Sequence, residues 1–140
     1  MKRVAIFALL LTLSGCVLPP PAAQPIPAAV TVPIRFTVYF ALNSARIDPA
    51  GLAILAHAAN AYRLGGRPLV QITGYTDTVG EPGYNQRLSN RRALQVAWVL
   101  ARLGVPQNVM TVIGRDENDL AVPTPQGAAD PRNRRVTVIE

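Results

Sequence analysis

The sequence has few of the residues that form disulfides or bind metal ions in small proteins, with one cysteine and one histidine among 140 residues. A disulfide within the chain is excluded, and a cluster of Cys and His metal ligands is not expected. The chain also offers no Ser-His-acid constellation, so no catalytic site is predicted. Its main apolar run, residues 4–13, is too short to cross a bilayer as a helix.

Lysine is almost absent, because the 14 basic residues are Lys2 and 13 arginines. Set against eight acidic residues, they give a formal net charge of +6. The arginines are dispersed along the chain and form no stripe, so nucleic acid is not the predicted partner. The hydrophobic content of 49% is ample for a core and excludes disorder of the whole chain.

The amino terminus has the pattern of an export signal. Residues 1–3 are positively charged at neutral pH, residues 4–13 are apolar, and residues 13–16 read Leu-Ser-Gly-Cys. This tetrapeptide resembles the bacterial lipobox, in which cleavage precedes a cysteine that is then acylated. We therefore predict a signal peptide over residues 1–15 and lipidation of Cys16. Several acyl chains on one residue give stable anchoring, whereas a single chain is marginal.

Residues 16–33 are predicted to be a lipidated tether. Six prolines fall within residues 17–33, and such a segment can neither continue a helix nor pair as a strand. In polyproline geometry it would reach roughly 50 Å. Val17 follows the cysteine where an Asp commonly retains lipoproteins in the inner membrane, so the outer membrane is the predicted destination, with the domain on its periplasmic face.

The remaining chain, residues 34–140, is predicted to be one α/β domain. Strands are expected over residues 34–40, 69–75, 109–113 and 135–139, and helices over residues 49–64 and from residue 85 or just before it to 103. Asp48 followed by Pro49 gives the first helix an N-cap and a proline at its first position. The order of elements predicts a mixed sheet of about four strands with both helices packed on one face.

The second helix has a charged residue on its apolar face. At 100° per residue, Arg92 lies on the same side as Leu88 and Val96. A buried guanidinium needs acceptors, and the nearest candidate in sequence is Asp77, in the loop that leads to this helix. Two interpretations remain open on these grounds: a buried ion pair that holds the loop, or a pair that reads the ammonium and the carboxylate of a zwitterion.

Three separated blocks carry a family resemblance. They are Gly-Tyr-Thr-Asp at residues 74–77, Tyr-Asn-Gln-Arg-Leu-Ser-Asn-Arg-Arg-Ala at residues 84–93, and Asn-Arg-Arg-Val at residues 133–136. Their order resembles that of the OmpA-like domain, which is shared by the porin OmpA, the lipoprotein Pal and the flagellar protein MotB. The resemblance covers about residues 34–140, and the lipobox with its tether is similar to the Pal layout.

The resemblance implies non-covalent binding of peptidoglycan. In the family, the motif Asp holds the amino group of diaminopimelate and the motif Arg holds its carboxylate, which implies these roles for Asp77 and Arg92. The expected binding residues are Asp77, Arg92, Asn85, Arg134, Phe40 and Leu88. No cofactor is implied. An alternative function is a module whose main ligand is a periplasmic protein of an envelope complex.

Other features carry weaker expectations. Ala41 stands where many family members have an acid, so one ligand contact is expected to be missing. Trp98 projects away from the apolar arc of its helix and is interpreted as part of a broad packing surface, with a partner contact as the alternative. Residues 116–119 (Asp-Glu-Asn-Asp) are predicted to form an exposed acidic turn.

Overall fold

A computed structural model describes residues 32–65 and 69–140 of the chain. The predicted signal peptide, Cys16 and residues 17–31 of the predicted tether lie outside the described residues. The boundaries proposed for these segments therefore stay predictions. Within the described ranges, no helix combines the length and the apolar character needed to span a bilayer.

The described residues form four strands, two long helices and one short 3-10 turn. They are β1 (Arg35–Tyr39), α1 (Pro49–Gly65), β2 (Val70–Gly74), α2 (Pro82–Arg102), the 3-10 turn (Gln107–Val109), β3 (Met110–Gly114) and β4 (Arg135–Ile139). The predicted order of strands and helices is confirmed, and the ends of the elements differ from the expected ones by at most about three residues.

The four strands form one mixed sheet in the order β1-β4-β2-β3. The central strand β4 is antiparallel to both β1 and β2, whereas β2 and β3 are parallel and are connected through α2. A parallel pair requires such a crossover because a short turn cannot return the chain to the same end of the sheet. The edge strands of the sheet are β1 and β3.

The two faces of the sheet differ in polarity. Paired positions on one face are apolar and form the rows Phe36-Val138-Ile72-Val112 and Val38-Val136-Gly74-Gly114. On the opposite face the central row contains three threonines, Thr37, Thr137 and Thr73. Residues of α1 and α2 share one buried core with the apolar rows, so both helices lie on the apolar face, as predicted.

Helix α1 begins as its sequence predicts. The Oδ1 atom of Asp48 accepts a hydrogen bond from the backbone N–H of Gly51 at 2.7 Å, and Pro49 occupies the first helical position. The cap satisfies one backbone donor that the first turn leaves free. Leu55 and Ala58 then form the buried face of α1 against the sheet.

Helix α2 approaches β2 and β3 so closely that only glycine fits beneath it. A Cβ atom on Gly74 would overlap the backbone carbonyl of Ser89, and one on Gly114 would lie 2.7 Å from both the Ser89 hydroxyl and the Asn90 amide nitrogen. Ala93, which has no exposed surface, continues this small-residue contact along the helix. The absence of side chains here fixes the height of α2 above the sheet.

We predict that Gly74→Ala destabilises the domain by about 1–3 kcal/mol, because the added methyl group meets a backbone carbonyl that cannot move without displacing α2. Urea denaturation of the purified chain would measure the change. Gly83→Ala is the matched control, since its Cβ would meet only the end of a flexible arginine side chain at 3.7 Å. The control should change stability by less than about 1 kcal/mol. Equal stability of the two variants would contradict the close approach of α2.

Candidate functional site

The guanidinium of Arg92 is fully buried and binds three backbone carbonyl groups. Its Nε donates to Ser44 O at 2.8 Å, Nη1 donates to Tyr75 O at 2.9 Å, and Nη2 donates to Ala41 O at 3.1 Å. Ala41 and Ser44 belong to the loop between β1 and α1, whereas Tyr75 directly follows β2. The Arg92 side chain of α2 therefore holds together the loop between β1 and α1 and the start of the loop after β2.

Burial changes the electrostatics of Arg92 without neutralising it. Desolvation lowers the pKa of Arg92 to about 10, while the attraction of Asp77 opposes this shift and the nearby charge of Arg134 adds to it. The side chain thus remains a cation at neutral pH. Its guanidinium carbon also lies 5.3 Å from the centroid of the Phe40 ring, within the range of a cation–π contact.

Asp77 and Arg134 form an ion pair that is largely shielded from solvent. The Nη1 atom of Arg134 lies 3.0 Å from Oδ2 of Asp77, and the exposed fractions of the two side chains are 12% and 4%. The Nε of Arg134 donates to Phe40 O at 3.0 Å, and the Phe40 amide donates to Arg134 O at 2.8 Å. This pair is the most solvent-shielded of the ion pairs between described residues.

Asn85 connects this pair to a second carboxylate. Its Nδ2 contacts Asp77 O at 3.5 Å and donates to Oε2 of Glu117 at 3.3 Å. Leu88 is buried on the same side of α2, three residues after Asn85 and four before Arg92. The structure therefore brings the predicted residues into one region, which contains two guanidinium groups and two carboxylates.

The side chain of Asn133 holds the segment before Arg134 in place, a role that the sequence did not reveal. Asn133 has no exposed surface, and its amide both donates to Val122 O at 2.8 Å and accepts from Val122 N at 2.9 Å. Thr78 anchors the same loop, because its hydroxyl lies 2.6 Å from Pro125 O. These contacts hold the loop beside Asp77. The only sequence signal that includes Asn133 is the family block at residues 133–136, and it does not specify these contacts.

Three expectations need correction. Arg92 and Asp77 are not joined by a direct ion pair in the described structure, because carbonyl groups occupy Arg92 while Arg134 pairs with Asp77. The turn at residues 116–119 is only partly exposed. Asp116 is buried, and burial raises the pKa of its carboxyl group. Trp98 is 55% exposed and stacks on Arg102, so it is not part of the core packing.

Two properties of Asp116 explain why the turn at residues 116–119 packs against the domain. Its backbone has a φ of 54°, a left-handed conformation that Asp tolerates better than most residues. Its amide donates to the Ser89 hydroxyl at 3.1 Å, and its carbonyl accepts from the Thr76 amide at 2.8 Å. The turn after β3 is thereby attached to α2 and to the loop that carries Asp77.

Comparison with known proteins agrees with this fold. A family model described as the OmpA family matches residues 39–134. The outer-membrane lipoprotein YfiB of Pseudomonas aeruginosa is 30% identical in an alignment that covers 99% of this chain and 92% of its own length. Seven further curated relatives are longer, and the chain spans from 14% to 61% of their length.

Solved structures give the same result. The OmpA-like domain of FopA1 from Francisella tularensis is similar with a TM-score of 0.71 and 26% identity, over 77% of this chain and 71% of that chain. The peptidoglycan-associated lipoprotein of Burkholderia pseudomallei is similar with a TM-score of 0.68 and 26% identity, over 74% of this chain and 88% of that chain. The family resemblance and the α/β fold inferred from the motifs are confirmed.

We expect Arg92→Ala to destabilise the domain by at least about 3 kcal/mol, because three buried carbonyl groups lose their donor at about 1–3 kcal/mol each. Arg91→Ala is the matched control: the neighbouring arginine is exposed, and its loss should cost less than about 0.5 kcal/mol. Arg92→Lys should recover only part of the loss, since an ammonium group lacks the planar fork. Urea denaturation would measure the stability of the three variants. An Arg92→Ala variant as stable as Arg91→Ala would refute the role of the Arg92 hydrogen bonds.

Proposed function

The chain belongs to the OmpA family, and from this membership we propose that it is a lipid-anchored lipoprotein that binds peptidoglycan without a covalent bond. The protein would hold the outer membrane to the cell wall. The observation that carries the proposal is the buried cluster of Asp77, Arg92 and Arg134 at the end of β2. One of the similar solved structures is that of a peptidoglycan-associated lipoprotein, which supports the same ligand class.

The charges of the cluster fit a zwitterionic group. Asp77 and Glu117 supply two carboxylates, and Arg92 and Arg134 supply two guanidinium groups. We propose that the ligand is the diaminopimelate of the stem peptide, whose free end carries an ammonium and a carboxylate on one carbon. The ammonium would bind Asp77, and the carboxylate would bind an arginine fork, which matches a carboxylate geometrically.

Ligand binding requires a rearrangement of the Asp77–Arg134 pair. In the free protein Arg134 Nη1 pairs with Oδ2 of Asp77 and takes the position that a ligand ammonium would take. Arg134 also donates from Nε to Phe40 O, and because its guanidinium is planar, that contact would shift as the Nη atoms turn towards the ligand carboxylate. The free protein thus keeps a buried carboxylate paired until the ligand ammonium replaces the guanidinium.

The remaining predicted residues have supporting roles in this proposal. Asn85 orients the Asp77 loop and Glu117, and Phe40 forms a wall beside Arg92. Leu88 supplies apolar surface on the same face of α2. Ala41 contributes only its backbone carbonyl, which Arg92 already uses, so it adds no side-chain contact to the ligand.

The proposed arrangement along the chain follows from the sequence. Residues 1–15 would be removed as a signal peptide, residues 16–33 would form the lipidated tether, and residues 34–140 would form the wall-binding domain. A non-enzymatic role is proposed because the cluster holds a ligand by charge and contains no nucleophile paired with a base. We place the protein at the periplasmic face of the outer membrane.

The wall-binding proposal predicts that Asp77→Asn lowers affinity for diaminopimelate-containing peptidoglycan by at least about tenfold, since one charge-assisted hydrogen bond to the ligand is lost. Co-sedimentation of the detergent-solubilised chain with purified sacculi measures this. Asp119→Asn is the matched control, because the exposed Asp119 side chain pairs with Arg115, away from the cluster, and its carbonyl accepts from Arg135 Nη2. Arg92 is unsuitable for this test, as its loss is expected to affect folding.

Two results would count against parts of the proposal. Wild-type sedimentation of the folded Asp77→Asn variant would exclude Asp77 as a ligand residue. Equal binding to sacculi whose stem peptides contain lysine in place of diaminopimelate would exclude recognition of the extra carboxylate while leaving wall binding intact. Release of soluble muropeptides during the assay would contradict the non-enzymatic role.

The lipid anchor is tested by Cys16→Ser. Without its thiol the chain cannot be acylated, so we expect an uncleaved precursor that retains residues 1–15. Mass spectrometry of the amino terminus of the protein expressed in a Gram-negative host distinguishes this precursor from the acylated wild type. A wild-type chain that begins at any residue other than Cys16, or that lacks acyl mass, would refute the lipoprotein assignment.

A further inference from the structure

A groove lies on the outer side of α2, away from the Asp77 cluster. Its volume is about 730 Å³, and its apolar lining includes Leu94, Ala97 and Trp98 from α2 with Met110 and Val112 from β3. Leu94 and Trp98 are 51% and 55% exposed, which is unusual for side chains of this size. Neither residue contributes to the core or to the proposed wall site.

The groove runs beside an open edge of the sheet. Strand β3 pairs with β2 on one side, and no described strand pairs with its other side. Such an edge presents backbone N–H and C=O groups to another chain. Two groups of β3 are already used, because the Met110 amide donates to Gln107 O and the Gly114 carbonyl accepts from Gln86 Nε2 at 2.8 Å. Met110 and Val112 point to the helix side of the sheet, so alternate side chains of an added strand would enter the groove next to them.

Positive charges accompany this groove. Helix α2 contains no acidic residue between Pro82 and Arg102. Arg102 lies 4.8 Å from the centroid of the Trp98 ring, and Arg91 with Arg46 lines an adjoining hollow of about 380 Å³ that shares Leu94 with the groove. Partners with acidic side chains are therefore favoured, because they complement the arginines near the apolar lining.

Other occupants fit less well. A second copy of the chain would bring the same arginines together, which like-charge repulsion opposes. Residues 17–31 carry no charge, and their prolines lack the N–H groups needed for strand pairing. A membrane surface would be expected to meet a protruding apolar ridge, whereas this lining is concave and is bounded by a strand edge.

We infer that an extended segment of a partner protein, with acidic and apolar side chains, docks along β3 as a fifth strand. Its apolar side chains fill the groove at Leu94 and Trp98, and its acidic side chains pair with Arg91 and Arg102. This surface is separate from the proposed wall site. It gives the alternative role of a protein-interaction module a defined location.

A selection from random twelve-residue peptides displayed on phage, with the full chain as target, tests this inference. The expected consensus has apolar residues at alternate positions and a net negative charge. A synthetic consensus peptide should bind Leu94→Ser and the Arg91→Glu/Arg102→Glu double variant at least about tenfold more weakly than wild type, as measured by fluorescence anisotropy. Binding should also protect the amides of β3 that face away from β2 from hydrogen exchange.

Matched controls separate local from general effects. Leu52→Ser removes an apolar side chain of α1 that is 45% exposed, and Arg63→Glu reverses an exposed charge on that helix. Both should bind the peptide within twofold of wild type. Asp77→Asn should also bind it normally, so failure of the wall-binding proposal and failure of this one are distinguishable.

The inference is overturned if no peptide is enriched, if the enriched peptides lack the acidic and apolar pattern, or if Leu94→Ser binds them as wild type does. It is also overturned if the amides of β3 stay unprotected, because the peptide would then not be a fifth strand. Binding of the chain to phosphatidylglycerol vesicles that requires Trp98, without any peptide enrichment, would instead identify a lipid-facing surface.

Discussion

The guanidinium of Arg92 has no exposed surface, and its three backbone acceptors come from two separate connections. Removing such a group from water costs several kcal/mol, and charge-assisted hydrogen bonds of about 1.5–3 kcal/mol each offset that cost. The net gain is therefore small compared with either contribution. The arrangement instead determines where the surrounding segments lie. The loop after β1 and the end of β2 must meet α2 at Arg92, because otherwise the N–H groups of the Arg92 guanidinium would have no acceptors.

The position of Arg92 sets the electrostatics of the region around it. Its charge persists at neutral pH although burial lowers the pKa to about 10. The nearby charge of Arg134 contributes to this lowering, and the attraction of Asp77 opposes it. The two arginines differ in freedom, because Arg92 is bound on three sides whereas Arg134 is partly exposed. In the proposed site Arg92 is thus the fixed charge and Arg134 the one that moves.

The elements of the fold could be predicted because their signals are local. Asp48 and Pro49 mark the start of α1, and alternating apolar residues mark strands such as β4. The partner of Arg92 could not be predicted, since backbone carbonyls leave no trace in residue identity. The Asp77–Arg134 pair joins residues 57 positions apart, and helical or strand periodicity gives no information at that separation. The family resemblance placed both residues in one pocket, but the contact between them needed the folded chain.

The two proposed binding surfaces lie on different faces of helix α2. Arg92 faces the sheet and Arg91 faces solvent, because each step along a helix turns by about 100°. Asn85 and Leu88 share the inner face, whereas Leu94 and Trp98 lie on the outer side. Gly74 and Gly114 allow the helix to lie close against the sheet between these faces. A wall ligand and a partner strand would therefore meet opposite sides of one helix, and neither would obstruct the other.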